Sequence, residues 1–168
     1  MSDLNGIQNK VVIADKLESI LNERRKKGDK IVFTNGCFDV LHVGHVRYLL
    51  QARMMGDILV VGLNSDQSVR LLKGDKRPLV PEGERAELLS HLASVDYICL
   101  FDELRPDRLI ERVKPGIHVK GGDYRAEDLP EAKTVERFGG KVVVVGLVEG
   151  KSTTNIIDKI IKLHAALP

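Results

Sequence analysis

Apolar residues recur along this chain in short runs that are separated by longer amphipathic segments. Several of the runs are rich in β-branched residues and almost continuously apolar, which is typical of strands buried on both faces of a sheet. We therefore predict five strands, at Ile31–Thr34, Ile58–Leu63, Tyr97–Phe101, Ile117–Lys120 and Val142–Leu147.

The segments around these strands carry apolar residues at the spacing of an amphipathic helix. The predicted helices are 13–27, Val43–Met54, Pro81–Leu92, Pro106–Val113, Glu131–Phe138 and Ser152–Leu163. Strands that alternate with helices favour a parallel sheet with right-handed crossovers. We therefore predict an α/β fold, namely a Rossmann-like, doubly wound, five-stranded parallel sheet with helices on both faces.

Composition narrows the class of protein. The 168 residues are 43% hydrophobic and 30% charged, which suits one domain over 1–168 with residues 1–10 as a loose arm. A net charge of +2 and the lack of Trp argue against a nucleic-acid surface or a membrane anchor. No apolar run approaches the roughly 20 residues of a membrane span. Cys37 and Cys99 form no CxxC pair, so a reducing, cytoplasmic location is expected.

The turn after the first predicted strand carries the strongest candidate chemistry. His42 and His45 lie three residues apart, on one face of a helix that begins near Val43. A helix N-terminus has unpaired N–H groups and a positive dipole end, so it attracts phosphate. Gly44 has no Cβ and lets a ligand approach the backbone. The alternative is that both histidines only cap and pack the helix.

A second candidate lies between the last predicted strand and the last helix. Gly150 and Lys151 precede the hydroxyl run Ser152, Thr153 and Thr154, which either caps the helix or binds phosphate oxygens. The segment is close to a P-loop, but it has three residues between its glycines where that motif needs four. A second phosphate-facing helix start is therefore favoured over a P-loop.

Two charged loops complete the set. The loop Lys73–Pro78, together with Arg85 on the next helix, is either a solvated surface loop or a mobile set of cations for an anionic substrate. Lys120 and Asp123 flank the glycine pair after the fourth predicted strand. They are candidates for contacts to an anion, a sugar hydroxyl or a base, or else they only cover the end of the sheet.

Together these motifs resemble the H-x-G-H nucleotidyltransferase superfamily, and within it the cytidylyltransferase-like branch. The residues that carry the resemblance are Gly36-Cys37-Phe38-Asp39, His42 to His45, and Ser152-Thr153-Thr154. The likeness extends from about Lys30 to Ile161. Further stretches, among them Leu72-Lys73-Gly74-Asp75 and Val119 to Tyr124, are most similar to the adenylyltransferases of ADP-heptose synthesis, in their stand-alone form.

The resemblance implies the transfer of AMP from ATP to D-glycero-β-D-manno-heptose 1-phosphate, with Mg²⁺ as cofactor and a homodimer as the assembly. It implies catalytic roles for His42, His45 and Lys73, and a structural turn at Asp39. The residues implied in nucleotide binding are Asn35, Gly36, Cys37, Phe38, Gly44, Asp123, Gly150, Ser152, Thr153 and Thr154. Lys73, Arg85 and Lys120 are expected to bind the sugar phosphate, and no protein ligand to the metal is assigned.

Two other functions stay open. One is a CTP-dependent cytidylyltransferase for glycerol 3-phosphate or a related polyol or alkyl phosphate. The other is a regulatory module that binds a nucleotide without turnover. The presence of His42, His45 and Lys73 argues against the second.

Overall fold

Five parallel strands form one sheet in the order β3-β2-β1-β4-β5. The computed structural model describes residues 10–123, 125–146 and 150–164. The strands are β1 (Ile31–Gly36), β2 (Ile58–Asn64), β3 (Tyr97–Phe101), β4 (Ile117–Gly121) and β5 (Lys141–Val145). The helices are α1 (Ala14–Lys26), α2 (Val43–Arg53), α3 (Asp66–Lys73), α4 (Glu82–Ser90), α5 (Asp107–Val113), α6 (Ala132–Arg137) and α7 (Thr153–His164), with a 3-10 turn at Ala126–Asp128.

Each face of the sheet has its own apolar core. On one face α2 and α4 pack through Leu49 and Leu89 against the strands. On the other face α1, α5 and α6 pack through residues such as Leu21, Ile110 and Val135. Because both faces are covered, the strands are almost wholly apolar, and the predicted doubly wound α/β fold is confirmed.

The strand order places the functional turns together. β1 lies between β2 and β4, with Val32 opposite both Leu59 and Ile117. After β1 the chain forms β2 and β3 on one side of the sheet, and it then crosses over β1 to form β4 on the other side. The crevice at the carboxyl ends of β1 and β4 is therefore the switch point at which such sheets bind ligands.

Element ends differ from the sequence prediction by up to two residues, and one helix was not predicted. β1 continues through Asn35 and Gly36, and β5 ends at Val145, while Leu147 lies outside the described residues. Helix α3 was not predicted. It begins after Ser65, whose side chain accepts a hydrogen bond from the Ser68 amide at 3.2 Å, and its short length gave few apolar positions from which to detect it.

The expected loose arm lies mostly outside the described part of the chain. Its last residue, Lys10, accepts a hydrogen bond through its carbonyl from the Ile98 amide at 2.8 Å. Val12 then donates to the Ile98 carbonyl at 2.9 Å. The chain is therefore bound to β3 by residue 10. Over the described ranges, no helix has the length and apolarity needed to cross a membrane.

Candidate active site

A cleft with two lobes opens at the carboxyl ends of the central strands. The histidine lobe, of about 380 Å³, is lined by His42, Gly44, Tyr48, Lys151 and Ser152 among others. The basic lobe, of about 650 Å³, is lined by residues that include Asn64, Lys73, Arg77, Arg105, Glu131 and Thr154. The wall shared by both lobes consists of Asn35, Gly36, Cys37, Phe38, His45, Lys120, Gly121 and Thr153.

The two histidines form a stacked pair at the start of α2. Their ring centroids are 3.9 Å apart and the rings are inclined by 19°. His42 takes an extended conformation as the residue before the helix, and its carbonyl accepts the His45 amide at 2.9 Å. The Nδ1 atoms of both rings are buried and have no partner among the described residues. Nε2 is therefore the ring nitrogen that each histidine presents to the cleft.

Gly44 makes the stacking possible. A Cβ at this position would lie 2.9 Å from the His42 ring and 3.1 Å from the Cβ of Lys151. These distances are shorter than ordinary contacts between carbon atoms. The sequence suggested that Gly44 leaves room for a ligand, whereas the structure shows that it first leaves room for the His42 ring.

Burial keeps the paired imidazoles neutral. Burial, with a smaller contribution from His42, lowers the pKa of His45 to about 4. Burial also lowers the pKa of His42, and the nearby Lys151 ammonium lowers it further. At neutral pH both rings are therefore uncharged and can donate a hydrogen bond from one nitrogen. Neutral donors in a partly buried position suit the stabilisation of negative charge on a ligand.

Contacts of Phe38 and hydrogen bonds of Asp39 fix the turn that precedes the histidines. Phe38 has a positive φ of 46°, which is uncommon for a side-chain-bearing residue, and its buried ring meets His45 edge to face at 5.2 Å. Asp39 is buried and accepts the amides of Leu79 at 2.8 Å and Val80 at 2.9 Å, as well as Arg77 Nε. Although burial opposes it, these donors hold the pKa of Asp39 below its usual value.

Arg85 lies beneath the cleft and not in it, which corrects the prediction that it binds substrate phosphate. Its side chain is fully buried. Nη1 donates to the carbonyls of Cys37 and Asn64 at 2.5 and 2.8 Å, and Nη2 donates to Asp66 at 2.7 Å. Nε donates to the Val80 carbonyl at 2.9 Å. The guanidinium therefore fastens the ends of β1 and β2 to α4, and it presents no free face to a ligand.

The hydroxyl run packs against the turn that carries the histidines. Ser152 Oγ accepts the Asn155 amide at 3.0 Å and so caps α7. Thr153 Oγ1 donates to the Val40 carbonyl at 3.3 Å, and Thr154 lines the basic lobe. Gly150 has a φ of 69° and does not line either lobe. In this structure the run caps the helix, and its hydroxyl groups remain at the cleft wall.

A chain of polar side chains crosses from β1 to the start of α6. Asn35 Oδ1 accepts from His118 Nε2 and from Lys120 Nζ, each at 3.2 Å. Lys120 Nζ also lies 3.1 Å from Glu131 Oε1. Burial, assisted by Lys120, lowers the pKa of His118 to about 3, so His118 is neutral. With Asn35 Oδ1 occupied in this way, its amide nitrogen is left to donate into the cleft.

The remaining predicted residues divide into two groups. Lys73, at the end of α3, is exposed and lines the basic lobe, and its charge is close enough to Cys37 to oppose the rise that burial causes in the pKa of that thiol. Asp123 is exposed and lines neither lobe. The structure thus brings Lys73 and Lys120 to the cleft, but it does not bring Asp123 there.

Two charged residues of the basic lobe were not singled out from the sequence. Arg105 precedes α5 and Glu131 precedes α6. Each belongs to a different crossover, and only the strand order brings them to one lobe. Arg77, which also lines this lobe, lies in the charged loop Lys73–Pro78 that the sequence indicated.

Comparison with known proteins agrees with this architecture. A family model described as cytidylyltransferase-like matches residues 33–161. The bifunctional protein HldE of Geobacter metallireducens is 55% identical over 155 residues, which are 92% of this chain and 32% of that protein. The chain therefore spans about a third of the length of the curated relatives it matches.

Solved structures give a consistent result. The lipopolysaccharide core biosynthesis protein from Thermoplasma volcanium is 30% identical with a TM-score of 0.60, and the match covers 74% of this chain and 100% of that chain. Pantothenate synthetase from Thermus thermophilus, 19% identical with a TM-score of 0.57 over 88% of this chain and 67% of that one, shares the fold. With these matches and the paired histidines at the β1–α2 turn, the chain belongs to the cytidylyltransferase-like family.

Proposed function

We propose that this chain transfers AMP from ATP to D-glycero-β-D-manno-heptose 1-phosphate, and so supplies ADP-heptose and pyrophosphate for lipopolysaccharide core synthesis. The observation that carries the proposal is the pair of lobes that share His45 as part of a common wall. A reaction between two phosphorylated substrates needs two adjoining sites of this kind. The 55% identity to HldE supports this choice of activity.

ATP would occupy the histidine lobe. His42 and His45 would donate Nε2–H hydrogen bonds to the triphosphate and to the leaving pyrophosphate. Ser152 and Thr153, at the start of α7, line this lobe and would bind the β- and γ-phosphates with the aid of free helix N–H groups. Thr154 would contribute from the adjoining basic lobe, which it lines. Asn35 would contribute its side-chain amide, since its carbonyl oxygen already accepts two hydrogen bonds.

The sugar phosphate would occupy the basic lobe. Lys73 would bridge the attacking phosphate and the α-phosphate. Arg105 and Arg77 line the same lobe. Arg105 Nε and Nη2 already donate to Asp107 at 2.9 and 3.1 Å, and Arg77 Nε donates to Asp39, so each would bind phosphate oxygens through its remaining N–H groups. The role that the sequence suggested for Arg85 therefore passes to exposed cations of this lobe.

The reaction would be a direct, in-line displacement. An oxygen of the sugar phosphate attacks the α-phosphorus of ATP, the bond to the bridging oxygen of the β-phosphate breaks, and pyrophosphate leaves. The attacking phosphate is already ionised, so no general base is needed. The task of the protein is to hold both substrates in line and to stabilise the developing negative charge.

Mg²⁺ would be held mainly by the triphosphate, where it would neutralise phosphate charge. Over residues 10–123, 125–146 and 150–164, no group of three or more His, Cys, Asp or Glu side chains is arranged to hold a metal ion. The one buried carboxylate of the β1 turn, Asp39, already accepts two amides and Arg77. This set of residues therefore agrees with a metal ion that enters the site bound to the nucleotide.

The resemblance also suggests a homodimer in the cytoplasm. Ile160, Ile161 and Leu163 on α7 are 54 to 64% exposed, and a second copy would be one way to cover them. Sedimentation velocity of the wild type and of Leu163→Ser would test the dimer. A single monomeric species at all concentrations would contradict it.

A cytidylyltransferase for glycerol 3-phosphate is the alternative, and the name of the matching family model favours it. Pyrophosphate release should be measured with ATP or CTP, each combined with heptose 1-phosphate or glycerol 3-phosphate. We expect rapid release with ATP and heptose 1-phosphate. Preference for CTP and glycerol 3-phosphate would support the alternative, whereas nucleotide binding without release in any combination would support a regulatory module.

A further inference from the structure

Glu131 is a buried carboxylate that borders the basic lobe. The residue is 4% exposed, yet it belongs to the lining of that lobe. It immediately precedes α6, on the β4 side of the cleft and away from the β1 turn. The reaction proposed above gives it no role, because an ionised phosphate needs no base to attack.

The carboxylate has one protein partner in the described part of the chain. Lys120 Nζ lies 3.1 Å from Oε1, and Lys120 divides its donors between Glu131 and Asn35. Burying an ionised carboxylate is costly unless its oxygens are paired or hydrogen-bonded. Oε2 therefore has the capacity to accept hydrogen bonds from a molecule in the basic lobe.

The charge of Glu131 limits what that molecule can present to it. A carboxylate accepts hydrogen bonds and repels phosphate oxygens, so the phosphate of the acceptor must lie elsewhere in the lobe. Lys73 and Arg105 supply cationic groups for it. The part of the acceptor that faces Glu131 must instead offer donors, which in a sugar phosphate are its hydroxyl groups.

We propose, on the basis of the function proposed above, that Glu131 and Lys120 bind the hydroxyl groups of the acceptor sugar and so determine acceptor specificity. Glu131 accepts hydrogen bonds from one or two hydroxyl groups, and Lys120 donates to a neighbouring sugar oxygen. Hydrogen bonds between a charged group and a substrate hydroxyl discriminate strongly, because an acceptor without that hydroxyl leaves Oε2 of the buried carboxylate without a donor.

The test is a comparison of ligand affinities that does not depend on turnover. The protein is first saturated with α,β-methylene ATP. The dissociation constant of heptose 1-phosphate is then measured by calorimetry, and that of methyl phosphate, which has no sugar hydroxyl group, by competition against heptose 1-phosphate. The variants are Glu131→Ala and Glu131→Gln. The control is Glu136→Gln, which removes an exposed carboxylate of α6.

We expect the wild type to prefer heptose 1-phosphate, and Glu131→Ala to reduce that preference about 10- to 100-fold, the scale of a lost hydrogen bond to a charged group. Glu131→Gln should retain part of it, and Glu136→Gln all of it. If Glu131→Ala does not fold, the Glu131→Gln result decides.

Three results would overturn the assignment. The first is a preference for heptose 1-phosphate that is unchanged in Glu131→Gln and Glu131→Ala. The second is an equal loss of affinity for both ligands in these variants. The third is a wild type that binds heptose 1-phosphate no more tightly than methyl phosphate. Failure of the proposed function has a different signature, namely no pyrophosphate release by the wild type from ATP and heptose 1-phosphate despite the binding preference.

Discussion

The two lobes of the cleft are built in different ways. The histidine lobe is centred on the segment from Asn35 to His45, which is fixed by a stacked ring pair, an edge-to-face contact and a glycine with no room for a Cβ. The end of β4 and the start of α7 complete its wall. The basic lobe is assembled from the ends of α3, α5 and α6, with exposed cations such as Lys73 and Arg105. A local, preorganised site suits the triphosphate, and an assembled site suits an acceptor that differs among enzymes of one fold.

The largest expected effect comes from the residue that supports both lobes. Arg85→Ala removes four hydrogen bonds and leaves Asp66 without its buried partner. We expect a loss of about 3–5 kcal/mol in the free energy of unfolding, the scale for breaking a buried ion pair. Urea denaturation measures it, with the exposed Arg70→Ala as control. A loss confined to the affinity for sugar phosphate, at full stability, would return Arg85 to a direct binding role.

A substitution in the histidine lobe should reduce turnover without unfolding the protein. His45→Ala is expected to lower kcat about 10²–10³-fold, which is the effect of removing one donor to a developing oxyanion. Circular dichroism and urea denaturation establish that the variant is folded, and the exposed His164→Ala is the control. Near-normal kcat in the folded variant would rule out the proposed role of His45.

The basic lobe should tolerate single changes better. Lys73→Ala removes an exposed ammonium, so we expect about a 10-fold loss of kcat/KM, within the range for a hydrogen bond to a charged group. The loss should be the same with ATP and with CTP, whereas Lys76→Ala should have little effect. A change only in the preference between the two nucleotides would show that Lys73 does not bridge the phosphates.

The smallest effect concerns pH. The pKa of His45 is about 4 in the folded protein and about 6.5 when unfolded, so below pH 6.5 the unfolded state binds more protons. The stability that neutral His45 provides is present above pH 6.5 and is lost as the pH falls towards 4. The full difference in pKa corresponds to about 2 kcal/mol between pH 7.5 and 5.0. Because the ring is only partly buried, we expect the wild type to lose about 1 kcal/mol more than His45→Gln. Equal losses in urea denaturation would contradict the burial of this ring.

The difference between the lobes also explains which features could be predicted from the sequence and which could not. The sheet, six helices and the β1 turn follow from apolar runs and a contiguous motif, so local spacing was enough to find them. Helix α3 has eight residues and was missed. Arg85 was assigned to the cleft from its charge, but its burial depends on carbonyls at the ends of two strands. The sequence indicated Glu131 only as the first residue of a helix. Its contact with Lys120 could not be predicted, because it depends on the pairing of β4 with β5.

We propose that AMP passes from ATP in the histidine lobe to a sugar phosphate in the basic lobe. ATP labelled with ³³P at the α-phosphate tests it directly, by incubation with Mg²⁺ and heptose 1-phosphate and separation of the products. We expect the label to appear in ADP-heptose while the released pyrophosphate is unlabelled. Label that remains in ATP, or that appears in ADP or AMP without any sugar nucleotide, would contradict it.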